Sequence, residues 1–141
     1  MSDPELKEII IRIKDQGNVK FRERAFKDAV DEYKDAIEHT TLVDDLEDAE
    51  IAKMKVTIFQ NMSVCTNNME DYKATVLNTT KAIKIDENAT KAYYLRSVAH
   101  YKLNDSDKAL ADIKSAIKLS PQDTNLRAHL EAIKKMRAIE D

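Results

Sequence analysis

Ala116-Ile117, followed by Leu119-Ser120-Pro121, repeats a pattern set 34 residues earlier by Ala82-Ile83 and Ile85-Asp86-Glu87; Ala36-Ile37 begins the same pattern 46 residues earlier still. A recurrence of this length is the signature of stacked supersecondary units, each unable to bury its apolar face alone. Extending the register aligns Ala109 with Thr75 and Ala29, and Ser97 with Ser63 and Gly17. Small residues at recurring positions mark close helix contacts, which predicts burial of Ala36, Ala82 and Ala116. Phe21 falls opposite Tyr101, and Phe26 opposite Tyr72. The first interval exceeds the second by 12 residues, and the excess is assigned to the segment between Thr40 and Thr57.

Within each unit the apolar residues recur at helical intervals. A first helix opens at Ser2-Asp3-Pro4-Glu5, a capping-box spacing with proline near the first turn, and carries Leu6, Ile9, Ile10 and Ile13 on to about Arg24. A second, about Phe26 to His39, has Ala29, Val30, Tyr33, Ala36 and Ile37 on one stripe. Asp44 or Asp45 is the predicted cap of a third helix that stops at Asn67-Asn68. A fourth covers about Asp71 to Ile85, and Asn88 is the predicted cap of a fifth from about Ala89 to Leu103. Asn104-Asp105-Ser106 turns into a sixth that ends near Leu119, before Pro121. A seventh has Leu126, Leu130, Ile133 and Met136 on one face and Lys134, Lys135 and Arg137 toward its C-terminus, as suits a solenoid cap. The expected fold is one all-α domain over 1–141: repeat 1 at about 4–40, an insertion-lengthened hairpin at 41–57, repeat 2 to about 86, repeat 3 at about 88–120 and a capping helix at about 122–140.

Composition excludes several function classes. A chain of 141 residues with one Gly cannot carry the glycine-rich phosphate loops of nucleotide-binding folds, which need at least two. A lone cysteine, Cys65, rules out an intramolecular disulfide or a multi-cysteine zinc site and points to a reducing compartment, cytoplasmic or also nuclear. With 26 acidic and 23 basic residues the formal charge is -3, so general attraction to nucleic acid or anionic membrane is not predicted. Apolar runs such as Ile9–Ile11 fall far short of the roughly 20 residues that cross a bilayer. The N-terminus does not read as a secretory signal. No cofactor, metal or catalytic constellation emerges. His39, His100 and His129 lie on separate helices without ligand spacing, and Cys65 reads as a packing residue.

Two segments resemble a known family. Lys91-Ala92-Tyr93-Tyr94 through Ala109-Leu110-Ala111-Asp112-Ile113 to Leu119-Ser120-Pro121, and Lys14-Asp15-Gln16-Gly17-Asn18 followed by Phe21 and Phe26, are similar to tetratricopeptide repeat (TPR) proteins. That resemblance covers nearly the whole chain and implies three antiparallel helix pairs stacked into a right-handed superhelix. It is strongest toward the co-chaperone domains of large immunophilins, the isomerase-linked cyclophilin and FK-binding types, whose catalytic domain would lie outside these residues. The implied function is non-enzymatic and monomeric: an adaptor binding the C-terminal Glu-Glu-Val-Asp tail of ninety- or seventy-kilodalton heat-shock chaperones.

The family clamps the two terminal carboxylates of that tail with polar residues on first helices. By resemblance these fall on Lys14, Asn18, Asn61 and Lys91. Their chemistry suits the task, since lysine offers three donors and a charge, and asparagine an amide donor, to two adjacent carboxylates. Four residues after Lys91 the family has arginine and this chain has Leu95. Arg96, next door, is the auxiliary candidate for the missing cation, and the resemblance makes His100 a second auxiliary candidate because its slot is often groove-facing in the family. Because of Leu95, the alternative is a scaffold of the same fold that binds a different peptide or protein surface.

Overall fold

The computed structural model describes residues 3–42 and 48–140. It contains seven helices, α1 (Asp3–Arg22), α2 (Phe26–Thr40), α3 (Ala49–Asn68), α4 (Tyr72–Ile85), α5 (Thr90–Lys102), α6 (Ser106–Leu119) and α7 (Thr124–Glu140), and no strand among the described residues. Each odd helix packs on the even helix that follows it, and each even helix on the next odd one, so three hairpins stack and α7 closes the end. The odd helices also touch one another in sequence, α1 to α3, α3 to α5 and α5 to α7, forming a continuous inner layer.

The recurring small residues are what let these helices approach. Ala29, Thr75 and Ala109, and Ala36, Ala82 and Ala116, are all fully buried. Around them pack Leu6, Ile10, Tyr33, Ile51, Ile58 and Met62 in the first two hairpins. Ile113, Leu126 and Ile133 fill the last interface. Of the 12 extra residues, seven lengthen α3, which has 20 residues against 13 in α5. The long α1 matches it, and Lys7 reaches Asp48 at 3.1 Å and Glu50 at 3.0 Å across the two helices.

Turns also repeat. Arg24, Glu70 and Asn104 hold the left-handed backbone region with φ of 60°, 61° and 62°, at the same place in each hairpin. In each, the next residue's N–H bonds five residues back, Ala25 to Lys20, Asp71 to Thr66 and Asp105 to His100, which is the Schellman closure of a helix. Arg24 therefore lies beyond α1, which stops at Arg22 rather than at the expected Arg24. Asp71 and Asp105 cap the helices that follow, each carboxylate accepting an N–H three residues on.

Two cap expectations change. Asp48 caps α3 through the N–H groups of Glu50 and Ile51, both at 3.1 Å, because the helix begins only at Ala49; Asp44 and Asp45, like Ser2, lie outside the described residues. Ala89 occupies the cap position of α5, with no side-chain bond, and Asn88 instead gives its own N–H to Asp86.

Candidate functional site

α1, α3 and α5 bring Asn18, Asn61 and Lys91 to the wall of one pocket of about 400 Å³, completed by Phe21, Arg22, Tyr33 and Val64. No acidic side chain lines it, although the chain as a whole is acidic. Lys14 stands one turn before Asn18 on the same stripe of α1 and is half-buried, outside that lining. Three of the four expected clamp residues therefore share a pocket, and the fourth flanks it.

The pocket is built from a glycine. A Cβ at Gly17 would meet Tyr33 Cε1 at 2.6 Å, so only glycine lets the ring of Tyr33 lie against α1. Thus seated, the Tyr33 hydroxyl donates to Asn18 Oδ1 at 2.6 Å, and Asn61 Nδ2 donates to the same oxygen at 3.4 Å. Burial pushes the Tyr33 phenol up to about 12, so it remains a donor at every neutral pH. With Asn18 Oδ1 doubly engaged, its Nδ2 is left to donate into the pocket, as is the second N–H of Asn61.

Cations add to a donor-rich lining. Lys14, Arg22 and Lys91 make no side-chain ion pair or hydrogen bond among the described residues. Lys91 sits in the first turn of α5, where the helix dipole disfavours a cation by about 0.3–1 kcal/mol. An anion in the pocket would reverse that cost.

The auxiliary residues do not join the site. Arg96 forms two 2.7 Å bonds to Asp112 on α6 and a 3.1 Å bond to Thr80 on α4, so its guanidinium is already engaged at the outer-helix seam. His100, one turn on, is buried with Nε2 3.8 Å from the same Asp112 carboxylate, and burial lowers its pKa. Helix phase turns positions 96 and 100 toward Asp112 of α6. Leu95 is buried at 7% exposure and supplies no donor from its side chain.

The remaining candidates are structural. Cys65 is fully buried, its thiol pushed up to about 11 by burial. His129 of α7 contacts Ser97 Oγ at 3.1 Å and meets Tyr94 and Tyr101 edge-on. His39 reaches the Asp35 carbonyl at 2.8 Å. Reading the sequence assigns Tyr33 only to an apolar stripe and passes over Arg22 and Asp112. The i, i+4, i+8 series Lys14, Asn18, Arg22 is the signal that would have found Arg22.

Residues 90–123 match the family model described as tetratricopeptide repeat. The chain is built of tetratricopeptide repeats. It is 32% identical over 134 residues to the Bos taurus peptidyl-prolyl cis-trans isomerase FKBP4, covering 92% of this chain and 29% of that protein. The chain thus spans under a third of the length of the curated relatives it matches. The C-terminal TPR-containing domain of a Plasmodium falciparum FK506-binding protein superposes with TM-score 0.86 at 25% identity, covering 100% of this chain and 97% of that one. The myosin chaperone UNC-45 from C. elegans, solved in complex with a Hsp90 peptide, matches with TM-score 0.79 and 25% identity over 92% of this chain and 14% of that one. No described helix of this TPR domain is long and apolar enough to cross a membrane.

Proposed function

We propose that this TPR domain is a chaperone adaptor whose inner groove binds the C-terminal Glu-Glu-Val-Asp tail of a ninety- or seventy-kilodalton heat-shock chaperone. The observation that carries the reading is a pocket lined by Asn18, Asn61, Arg22 and Lys91, with no acid among its lining residues and its cations unpaired among the described residues. Such a lining is rich in donors and positive charge, and a peptide C-terminus ending in aspartate offers two adjacent carboxylates to meet it. Lys14 extends the donor set by one helical turn along α1. The Hsp90 peptide bound by the UNC-45 neighbour supports the same ligand class. The isomerase activity in the name of the bovine relative is assigned to chain outside these residues, and this domain acts by binding alone.

Calorimetric titration of the free-acid tail peptide against its C-terminal amide tests the reading. The free acid is expected to bind at least about tenfold more tightly, since a charge-assisted bond contributes about 1.5–3 kcal/mol. Lys91→Ala, at an exposed helical position, should weaken the free acid and leave the melting temperature unchanged. Equal affinity for acid and amide would reject it in favour of a scaffold for another surface. Leu95 favours that second reading, because the groove lacks the family's guanidinium there.

A further inference from the structure

We infer that Arg22 is the guanidinium of this groove, taking one carboxylate of an acidic C-terminal residue while Lys91 takes the other. The inference rests on the groove reading above and deepens it by assigning the cation that Leu95 leaves missing.

Four observations converge. Arg22 lines the pocket together with Lys91, with the Asn18–Asn61 pair also in its wall. It lies on the stripe of α1 that carries Lys14 and Asn18, because residues four apart share a helix face. Among the described residues it is unpaired, as is the exposed Arg12 outside the pocket, whereas Arg96 is engaged by Asp112, Arg137 by Asp107 and Arg127 by the Pro121 carbonyl. Its place in the last turn of α1 stabilises a cation without any acidic partner, so the charge is kept while the fork stays free.

The alternatives for this role are closed. Leu95 is apolar, Arg96 is bound twice to Asp112, and His100 faces the same aspartate from a buried position. Phe21 and Val64 put apolar walls beside Arg22, which strengthens a carboxylate contact by excluding water. A guanidinium also fits a carboxylate in two parallel bonds, which lysine cannot do.

The test is calorimetry on the full chain with three peptides: the Glu-Glu-Val-Asp free acid, its amide, and the free acid with terminal Asp changed to Asn. Arg22→Gln is compared with Arg22→Lys and with Arg12→Gln, which removes an equal charge from an exposed position outside the pocket. Arg22→Gln should weaken the free acid about tenfold, Arg22→Lys less, and Arg12→Gln not at all. The loss should vanish for whichever of the two altered peptides lacks Arg22's carboxylate. If wild type distinguishes the three peptides but Arg22→Gln binds as wild type, or loses affinity equally for all three, Arg22 is not the fork and the groove reading stands. If wild type treats the peptides alike, the groove reading itself fails and takes this inference with it.

Discussion

The inner groove near α1 and the outer seam between α4, α5 and α6 each hold an arginine, and the fold treats the two in opposite ways. At the seam, Arg96 is bound in bidentate fashion by Asp112, with Thr80 and His100 closing the network. In the groove, Arg22 lines a pocket with no acid in its lining and has no partner among the described residues. Charge in the first place is spent holding repeats together; in the second it is left available to a ligand. Helix phase decides between them, since Leu95 and Arg96 differ by a rotation of about 100°. One residue of shift separates the buried Leu95 side chain from the Arg96 guanidinium at the seam.

The largest expected effect lies at the seam. Asp112→Ala would leave Arg96 buried without its counter-charge, and breaking such a pair costs about 3–5 kcal/mol. Arg96 keeps 20% of its side chain exposed against 9% for Asp112, which places the expected loss at the lower end of that range. Thermal melting checks it, and Arg22→Gln should show no comparable loss. If both substitutions lowered the melting temperature alike, the division between structural and ligand-facing arginines would collapse.

A middle-sized effect joins the two roles. Gly17→Ala must push the Tyr33 ring from a position 2.6 Å from the new methyl group, and overpacking of this kind costs about 1–3 kcal/mol. Because Tyr33 pins Asn18, the same substitution should weaken the tail peptide. The gain in helix propensity, up to about 1 kcal/mol, offsets part of the stability loss but none of the binding loss. A variant that melts like wild type and binds like wild type would show that the tyrosine does not position the site.

How much of this was legible beforehand follows from what a sequence period can carry. The interval of 34 residues located the hairpins, and the aligned small residues, all buried, located their contacts. The stripe containing Lys14 and Asn18 was legible because spacing of four fixes a shared face. What spacing could not reveal is the partner across a seam: Asp112 claims Arg96 from a different helix, 16 residues away. Nor could scarcity of glycine reveal the turns, because Arg24, Glu70 and Asn104 adopt the left-handed conformation without it. Their cost suggests a small gain. Glu70→Gly should raise stability by about 0.5–1 kcal/mol by relieving the side-chain clash of that conformation. An unchanged or lower midpoint in urea would mean that the Glu70 side chain contributes as much as its backbone costs.

A further comparison concerns pH and separates the seam from the cap. His100 and His129 both have pKa values lowered from 6.5, each mainly by burial. The unfolded chain then binds more protons than the folded one between the folded pKa and 6.5. Stability must therefore fall as pH drops through that window, and be nearly flat above it, at no more than about 1.4 kcal/mol per pH unit for each histidine. The two sites differ in surroundings. Asp112 partly opposes the burial effect at His100, while Arg96 reinforces it. At His129 the opposing influence is the Ser97 contact, and Tyr94 and Tyr101 flank the ring. Melting between pH 7.5 and 5.5 in wild type, His100→Gln and His129→Gln assigns the slope. Removing His129 should flatten the curve more, because no carboxylate there stabilises the imidazolium. If His100→Gln flattened it more, Asp112 would be too fully committed to Arg96 to offset burial, and the seam rather than the cap would be the acid-sensitive end of the solenoid.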